Sequence, residues 1–281
     1  MSELKIEKVR RLIREALAED IGPGDITTRS IIPGKKMVKA EIVAKEAGII
    51  GGLPIAKEVF RLLDRKIRFV NLVKEGGKVK KGKRIALITG NARLILSGER
   101  VALNFIQRLS GIATETNRCV KEVLPFKTAI LDTRKTPAGW RYLDKYAVRL
   151  AGGKNHRFGL YDMILIKDNH LALGSDIREA VRRARTRYPD KKIEIEVKNF
   201  KELSRALAMG VDIVMLDNMN INNIMKALKL IKGRCKVEVS GNIPFRHLRR
   251  LARLGVDYIS LGRLTHSPRA LDISLKIVKE R

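Results

Sequence analysis

The stretch KIEIEVKNFKELSRALAMGVDIVMLD, residues 192–217, decides the fold. Its two ends, KIEIEV and DIVMLD, are short runs rich in apolar and β-branched residues, which is typical of strands in a parallel sheet covered by helices. Between them FKELSRALAMG has the apolar spacing of an amphipathic helix and ends at a glycine. The stretch therefore predicts a strand, a helix and a second strand parallel to the first.

The same pattern recurs on both sides of this stretch. Further strands are predicted at TAILD (128–132), DMILIK (162–167), KVEVS (236–240) and DYISLG (257–262). Helical patterns lie between most of them, at 176–188 with a possible Asp176/Glu179 capping box, at 222–231 and at 245–255. Repeated βα units predict a (β/α) barrel or a doubly wound sheet, and no G-x-G-x-x-G follows any of these strands. Six strands are fewer than the eight of a complete barrel, so an incomplete barrel and missed strands both stay open.

The chain has a different character before residue 110. Short β-rich runs at 37–44, 47–52, 66–73 and 83–90 are separated by glycine-rich turns, and LPIAKEVFRLLD (53–64) has a helical pattern. This arrangement predicts a small α+β domain.

Composition and charge narrow the class of protein. The 281 residues are 44% hydrophobic, which is enough for a sizeable core and excludes a fibrous or disordered chain. The formal charge is +29, from 59 Lys and Arg against 30 Asp and Glu. A solvated surface, a nucleic acid partner and a highly phosphorylated substrate each explain this charge, and composition does not choose among them.

Cysteine content and hydropathy indicate the compartment. With Cys119 and Cys235 alone, neither a disulfide framework nor a four-cysteine zinc site is possible. No apolar run approaches the roughly 18 residues of a spanning helix. Residues 1–20 have the stripe of a core-facing amphipathic helix, with Val9, Ile13 and Leu17 on one face, and lack the apolar centre of a signal peptide. We expect a soluble protein of a reducing, cytoplasmic compartment.

Polar residues follow the predicted strands of the second half, where a barrel carries its active site. Arg134, Lys135 and Lys167 end two strands and, with His156 and Arg157, could bind several anionic groups. Glu196 and Asp217 end successive strands and would lie side by side. The residues alone leave open whether these two carboxylates form ion pairs or hold Mg²⁺.

Small residues end the last two strands. The backbone N–H groups of Ser240-Gly241-Asn242 and Gly262-Arg263 can approach a phosphate closely, and each group precedes a helical pattern. Other sites are not indicated: the chain has no P-loop and no H-E-x-x-H, and its four histidines lack zinc-ligand spacing with the two cysteines.

At these residues the sequence resembles the quinolinate phosphoribosyltransferase family. The resemblance covers most of the chain in order, and its central motif is long and specific. It is carried by EDIGPGDITT (19–28), GERVALNFIQRLSGIAT (98–114), DTRKTPAGWRYLDKYAVRLAGGKNHRFGLYDMILIKDNH (132–170), EIEV (194–197), MLDNM (215–219), EVSGNI (238–243) and ISLGRLTHS (259–267). Pro137-Ala138, Ala151 and Asn242 depart from the usual pattern of the family, which concerns the shape of loops and removes no charged site residue.

The resemblance implies a fold and a domain division. The fold would be an N-terminal α/β sandwich over residues 1–110 and an open, seven-stranded (β/α) barrel over 111–270. The segment 271–281 would be helical and return to the N-terminal domain.

The resemblance also implies an activity: quinolinate and phosphoribosyl pyrophosphate would give nicotinate mononucleotide, pyrophosphate and CO₂, in NAD biosynthesis. Arg134, Lys135, His156, Arg157 and Lys167 would bind the two substrates, with Lys135 or Lys167 assisting decarboxylation. Glu196 and Asp217 would be catalytic and hold Mg²⁺ at the pyrophosphate. Ser240, Gly241, Asn242 and Gly262 would bind the 5′-phosphate, and Arg100 would reach the site of the other subunit in a homodimer.

Two other readings compete with this one. A related pyrophosphorylase-like protein of molybdate transport operons shares the fold and many motifs. A nucleic-acid-binding protein would explain the charge of +29 directly, but the chain has few aromatic residues and no recognisable binding motif. We expect no membrane partner and no specific nucleic acid partner.

Overall fold

The computed structural model describes residues 4–174 and 176–278, which form two compact units. The first unit takes the described parts of Met1–Asn117, Ala138–Ala151 and Ser267–Arg281. The second takes the described parts of Arg118–Pro137 and Gly152–His266. The sequence placed one boundary at residue 110. The structure differs, because the helix that spans this position continues without a break and three segments beyond it belong to the first unit.

The first unit is built on an antiparallel sheet. Its elements are α1 (Arg10–Ile21), α2 (Ile26–Ile31), β1 (Met37–Ala44), β2 (Gly48–Ile49), α3 (Leu53–Leu63), β3 (Arg68–Asn71), β4 (Lys78–Val79), β5 (Arg84–Asn91), α4 (Ala92–Val123, of which Arg118 onward belongs to the second unit), α5 (Arg141–Leu150) and β12 (Ile273–Val278). The main sheet has the order β12-β1-β5-β3, and β2 pairs with β4. The predicted strands and the helix at 53–64 are confirmed, with boundaries that differ by a few residues.

The C-terminal segment is a strand, so the expected helix is wrong. In β12, ISLKIV pairs antiparallel with β1, and Ala40 is opposite Ile277. Ile273 and Leu275 are buried while Lys276 is exposed, and the β-branched residues of the run fit this half-buried strand. Residues 279–281, the rest of that predicted helix, lie outside the described residues.

A carboxylate from a loop holds the start of α3. Oε1 of Glu75 accepts the N–H of Gly52 at 2.6 Å, and its Oε2 accepts the N–H of Leu53 at 3.0 Å. The hydroxyl of Tyr146 donates to Oε1 at 2.9 Å. Burial raises the pKa of Glu75 despite these hydrogen bonds. Glu75 therefore satisfies backbone donors that a helix start leaves without partners.

The second unit contains the parallel sheet that the sequence predicts. Its elements after α4 are β6 (Ala129–Leu131), β7 (Ile164–Ile166), α6 (Asp168–Ala172), α7 (Ile177–Arg187), β8 (Ile193–Val197), α8 (Phe200–Ala208), β9 (Ile213–Asp217), α9 (Ile221–Ile231), β10 (Lys236–Ser240), α10 (Leu248–Arg253), β11 (Tyr258–Ser260) and α11 (Arg263–His266). All six predicted strands are confirmed. Asp176, Asn199 and Asn220 accept backbone N–H groups at the starts of α7, α8 and α9.

The strand order β6-β11-β10-β9-β8-β7 brings the first strand beside the last, which is the order of a (β/α) barrel. A single parallel bridge joins Leu131 to Lys154, on the side of β6 away from β11. The resemblance implies seven strands. Among the described residues the parallel sheet has six strands, and this bridge is at its edge. Within the described residues no ladder joins β7 to β6, so the barrel is open.

The repeated Gly-Val-Asp stretches have a structural role at the start of the strands. The Asp212 carboxylate accepts the backbone N–H of Ile193 at 2.8 Å, and the Asp257 carboxylate accepts that of Val237 at 2.9 Å. Each aspartate thereby ties the start of its own strand to the neighbouring strand. This edge is opposite to the strand ends where a barrel builds its active site.

Candidate active site

One cavity opens at the carboxyl ends of the parallel strands and has a volume of about 690 Å³. Eleven of the twelve predicted site residues line it. They are Arg134, Lys135, His156, Arg157, Lys167, Glu196, Asp217, Ser240, Gly241, Asn242 and Gly262. The alternate residues of a strand share one face, so the ends of β8, β9 and β10 direct their polar side chains to the same space.

Arg100 is the exception among the predicted residues. It lies on α4 in the first unit, is exposed, and does not line this cavity. The role predicted for it needs a second copy of the chain.

Arg157 is the most deeply buried cation of the cavity, with 8% of its surface exposed. Its Nη1 donates to the carbonyl of Met163 at 3.0 Å, while its buried Nε has no hydrogen-bond partner in the described part of the chain. Burial and the neighbouring Arg134 lower the pKa of this guanidinium. A buried guanidinium with a free N–H beside a second guanidinium is a strong site for an anion.

The two lysines of the cavity differ in solvent exposure. Lys167 is half-buried, and its Nζ lies 3.1 Å from Oε2 of Glu196. Lys135 is exposed, and its carbonyl accepts a hydrogen bond from the hydroxyl of Thr265 at 2.7 Å. Thr265 thus holds the main chain of this loop, while the Lys135 side chain is exposed.

Glu196 and Asp217 both face the cavity from neighbouring strands, as predicted. Glu196 is paired with Lys167, and Asp217 accepts a hydrogen bond from the side-chain amide of Asn218 at 2.7 Å. The half-buried carboxylate of Asp217, with that of Glu196 on the neighbouring strand, fits the preference of Mg²⁺ for one or two carboxylates plus phosphate oxygens.

Two glycines keep the far wall of the cavity open. Gly241 has φ of +120°, and a Cβ at this position would clash with the side chain of Asn218. A Cβ at Gly262 would lie 3.2 Å from Cδ of Lys135. The helical patterns expected after them are short: a 3₁₀ turn at Phe245–His247 before α10, and the four-residue α11. Close approach of the main chain, rather than a helix dipole, is therefore what these positions offer to a phosphate.

Three buried polar residues at the cavity were not predicted: Glu238 and Ser260 line it, and Glu194 is buried beside Glu238. Glu194, Glu238 and Ser260 are all less than 3% exposed, and the Ser260 hydroxyl donates to Glu238 at 2.6 Å. Burial raises the pKa of Glu194 to about 7. Burial and then the charge of Glu194 raise the pKa of Glu238 to about 8.

A signal for these residues was present in the sequence. In IEIEV and KVEVS the glutamates alternate with apolar residues, so Glu194 lies on the same face of its strand as Glu196, and Glu238 on the same face as Ser240. Glu194 and Glu238 each lie two residues before a strand-end residue, so the strand ends alone do not include them.

Fold and cavity together define a class: an open (β/α) barrel protein with a basic, anion-binding site at the carboxyl ends of its strands. The family models narrow this class. Residues 25–110 match the N-terminal domain of quinolinate phosphoribosyl transferase, and residues 112–276 match its C-terminal domain. The chain therefore belongs to the quinolinate phosphoribosyltransferase family.

Individual relatives agree over nearly the whole chain. The probable nicotinate-nucleotide pyrophosphorylase [carboxylating] of Bacillus subtilis is 46% identical, and the match covers 96% of this chain and 93% of that protein. The chloroplastic nicotinate-nucleotide pyrophosphorylase [carboxylating] of Arabidopsis thaliana is 39% identical, with 97% and 83% covered. The solved structure of the nicotinate-nucleotide pyrophosphorylase from Francisella tularensis is 43% identical, covers 98% of both chains and superposes with a TM-score of 0.92.

No helix among the described residues is long and apolar enough to cross a membrane.

Proposed function

We propose that this chain is a quinolinate phosphoribosyltransferase, which converts quinolinate and phosphoribosyl pyrophosphate to nicotinate mononucleotide, pyrophosphate and CO₂ for NAD biosynthesis. One observation carries the proposal: a single cavity at the carboxyl ends of one parallel sheet is lined by five arginine and lysine residues and by three acidic residues. The basic residues are Arg134, Lys135, Arg157, Lys167 and Arg263, and the acidic residues are Glu196, Asp217 and Glu238.

The charge of the cavity suits these substrates. Quinolinate is a dianion and phosphoribosyl pyrophosphate carries several negative charges, so the two repel each other in water. Arginine and lysine side chains gathered in one partly enclosed space offset that repulsion and allow both anions to bind together. In this assignment Arg134 and Arg157 orient the carboxylates of quinolinate, and the main chain at Ser240–Asn242 and Gly262 receives the 5′-phosphate.

Mg²⁺ fits the acidic side of the same cavity. Asp217 and Glu196 would not form a complete cage of ligands, which agrees with a cation that is bound mainly through substrate phosphates.

 Glu196 and Asp217 are the residues that would hold Mg²⁺, and Lys167 balances the charge of Glu196. When bound, Mg²⁺ supplies positive charge to the pyrophosphate leaving group.

The residues of the chain bind and orient the substrates, and all the bonds that form and break belong to the substrates. The pyridine nitrogen forms a bond to C1 of the ribose as the bond from C1 to the pyrophosphate oxygen breaks, and the electron pair leaves with pyrophosphate. Arg134 and Arg157 hold the ring in line for this attack. The alkylated nitrogen is then cationic. When the bond from C2 to its carboxylate breaks, the electron pair left on C2 is stabilised by that adjacent charge, and C2 takes up a proton.

No nucleophile from the protein is required in this sequence of steps. Lys135 and Lys167 are the cations available to pair with negative charge that develops near C2, because both line the cavity and each has an ammonium group on a flexible chain.

A homodimer is part of the proposal. Arg100 is exposed on α4 and would enter the cavity of a second copy of the chain. Mixing the inactive variants Arg100→Ala and Lys135→Ala tests this. If Arg100 acts across the interface, mixed dimers contain one intact site and activity returns. If each chain uses its own Arg100, the mixture stays inactive.

The decisive assay supplies quinolinate labelled at its 2-carboxyl group, phosphoribosyl pyrophosphate and Mg²⁺. We expect labelled CO₂ and pyrophosphate in equal amounts, both dependent on all three additions. A protein that binds none of these compounds, or that releases pyrophosphate without CO₂, would contradict the proposal.

A further inference from the structure

A cluster of three ionisable residues adjoins the cavity: His156 and Glu238 line it, and Glu194 is buried beside them. Nε2 of His156 is 3.0 Å from Oε2 of Glu194 and 3.6 Å from Oε2 of Glu238. The His156 side chain is 6% exposed, and both glutamates are fully buried or nearly so. The imidazole therefore faces inward, towards two carboxyl groups.

The other ring nitrogen is also engaged within the protein. Nδ1 of His156 accepts the backbone N–H of Arg157 at 2.7 Å. A nitrogen that accepts a hydrogen bond carries no proton, so the ring proton is on Nε2, the nitrogen that lies beside the two carboxyl groups.

The main chain around His156 is fixed as well. The His156 N–H donates to Oδ1 of Asp132 at 2.9 Å, and the side-chain amide of Asn155 donates to Oδ2 of the same aspartate. Asp132 follows β6, so this carboxylate ties the segment 155–157 to the end of a strand. The segment leads directly into Arg157, whose guanidinium enters the cavity.

We propose that Glu194 and Glu238 are positioning residues: they orient the His156 ring, which in turn holds the backbone of Arg157 so that its guanidinium faces the quinolinate carboxylates. This inference rests on the proposed function, and it gives His156 a positioning role in addition to the anion binding that the family resemblance implies. Glu194 also attracts the guanidinium of Arg157, which opposes its repulsion by Arg134.

A pair of substitutions at one position tests the idea. Glu194→Leu keeps the approximate volume and removes the acceptor, and we expect it to raise KM for quinolinate by about tenfold while KM for phosphoribosyl pyrophosphate is unchanged. Glu194→Gln keeps an oxygen that accepts the Nε2 proton, so its KM for quinolinate should stay close to that of the wild type. Because Gln matches Glu in shape, this variant remains informative if Glu194→Leu does not fold. A large rise in KM for Glu194→Gln would overturn the proposal.

A double-mutant cycle separates a positioning role from a general structural one. If Glu194 acts through His156, adding Glu194→Leu to His156→Ala should change KM for quinolinate little further. Effects that multiply would overturn the proposal. Glu58→Gln is the matched control, since Glu58 is a buried carboxylate paired with Arg10 and Arg61 in the first unit. We expect it to lower Tm and leave KM unchanged.

A measurement without substrates keeps this inference distinct from the proposed function. The chain has four histidines, so ¹⁵N labelling of histidine gives few signals, and the His156→Ala variant identifies the one from His156. We expect a neutral ring with its proton on Nε2. A ring protonated at both nitrogens would overturn the inference, whereas an inactive wild type with the expected ring would contradict only the proposed function.

Discussion

Buried acidic residues have different partners in the two units of the molecule. In the first unit the carboxylate of Glu58 is 2.8 Å from Nε of Arg10 and 2.5 Å from Nε of Arg61. In the second unit Glu194 and Glu238 lie close to each other and to His156, at a cavity lined with cations. The arginines lower the pKa of Glu58, whereas burial raises the pKa of Glu194 and of Glu238.

The difference in partners distinguishes an acidic group that stabilises the fold from acidic groups that belong to a functional site. A carboxylate that is matched by arginine at short range contributes to the folded state and needs nothing more. A carboxyl group buried without a matched cation costs stability, and such groups concentrate at functional sites. The parallel sheet therefore carries acidic groups that its own packing does not require.

The largest expected effect contrasts an arginine from each unit. Arg157→Ala should lower kcat/KM by about 1,000-fold, because it removes a buried charge that orients an anionic substrate. Arg61→Ala removes the half-exposed partner of Glu58 and should leave kcat/KM unchanged. Steady-state kinetics of both variants, with Tm as the check on folding, makes the comparison. Equal losses of kcat/KM in the two variants would show that the two units do not differ in this way.

The next effect concerns the metal requirement. Glu196→Gln combined with Asp217→Asn should raise the Mg²⁺ concentration for half-maximal activity by about 100-fold, since neutral amides are poorer ligands for this cation. Glu41→Gln is the control, because Glu41 pairs with Arg84 in the antiparallel sheet. An unchanged Mg²⁺ titration of the double variant would reject the role assigned to the two carboxylates.

A third prediction concerns stability in the first unit. Glu75→Ala should lower the free energy of unfolding by about 2 kcal/mol, because two backbone N–H groups at the start of α3 and the hydroxyl of Tyr146 lose their acceptor. Glu75→Gln keeps one acceptor oxygen and should cost less. Urea denaturation measures both variants, and a cost for Glu75→Ala no greater than that for Glu75→Gln would contradict the helix-start role.

The last expected effect is a dependence of stability on pH. The pKa of Glu238 is raised from an ordinary value near 4.5 to about 8, so the native protein binds this proton more tightly than the unfolded chain does. The wild type consequently loses stability as pH rises through this range, by at most about 1.4 kcal/mol per pH unit. Glu238→Gln removes this loss, so its stability relative to the wild type should increase from pH 5 to pH 8.

Glu58→Gln should behave in the opposite way. The lowered pKa of Glu58 means that its stabilising charge is fully present above pH 5 and is lost only in more acidic solution. The difference in stability between this variant and the wild type should therefore be constant from pH 5 to pH 8. Urea titrations at each pH compare the two variants, and parallel curves for both would show that the two buried carboxyl groups do not differ.

The sequence predicted the sheet of the second unit more accurately than the division into units. Every strand from β6 to β11 was indicated by a short β-branched run, because strands covered on both faces consist almost wholly of apolar residues. The unit boundary was harder to predict. Amphipathic helices such as α4 and α5 show an apolar face in the sequence but not the surface against which that face packs.

The C-terminal segment shows another limit of local patterns. The run ISLKIV is short, and its apolar residues are compatible with either a strand or a turn of helix. Pairing with β1, more than 200 residues earlier in the chain, decides the outcome. Such long-range pairing leaves no mark within the segment itself.

The sequence by itself determined the alternation of strands and helices and the positions of the charged residues at the strand ends, since both depend on periodicity and on order along the chain. Only the tertiary structure decided that eleven of those residues share one cavity, that Arg157 is buried, and that both nitrogens of His156 are turned inward. Burial and hydrogen-bond direction depend on neighbours from distant parts of the chain, and these neighbours also set the charge of each group.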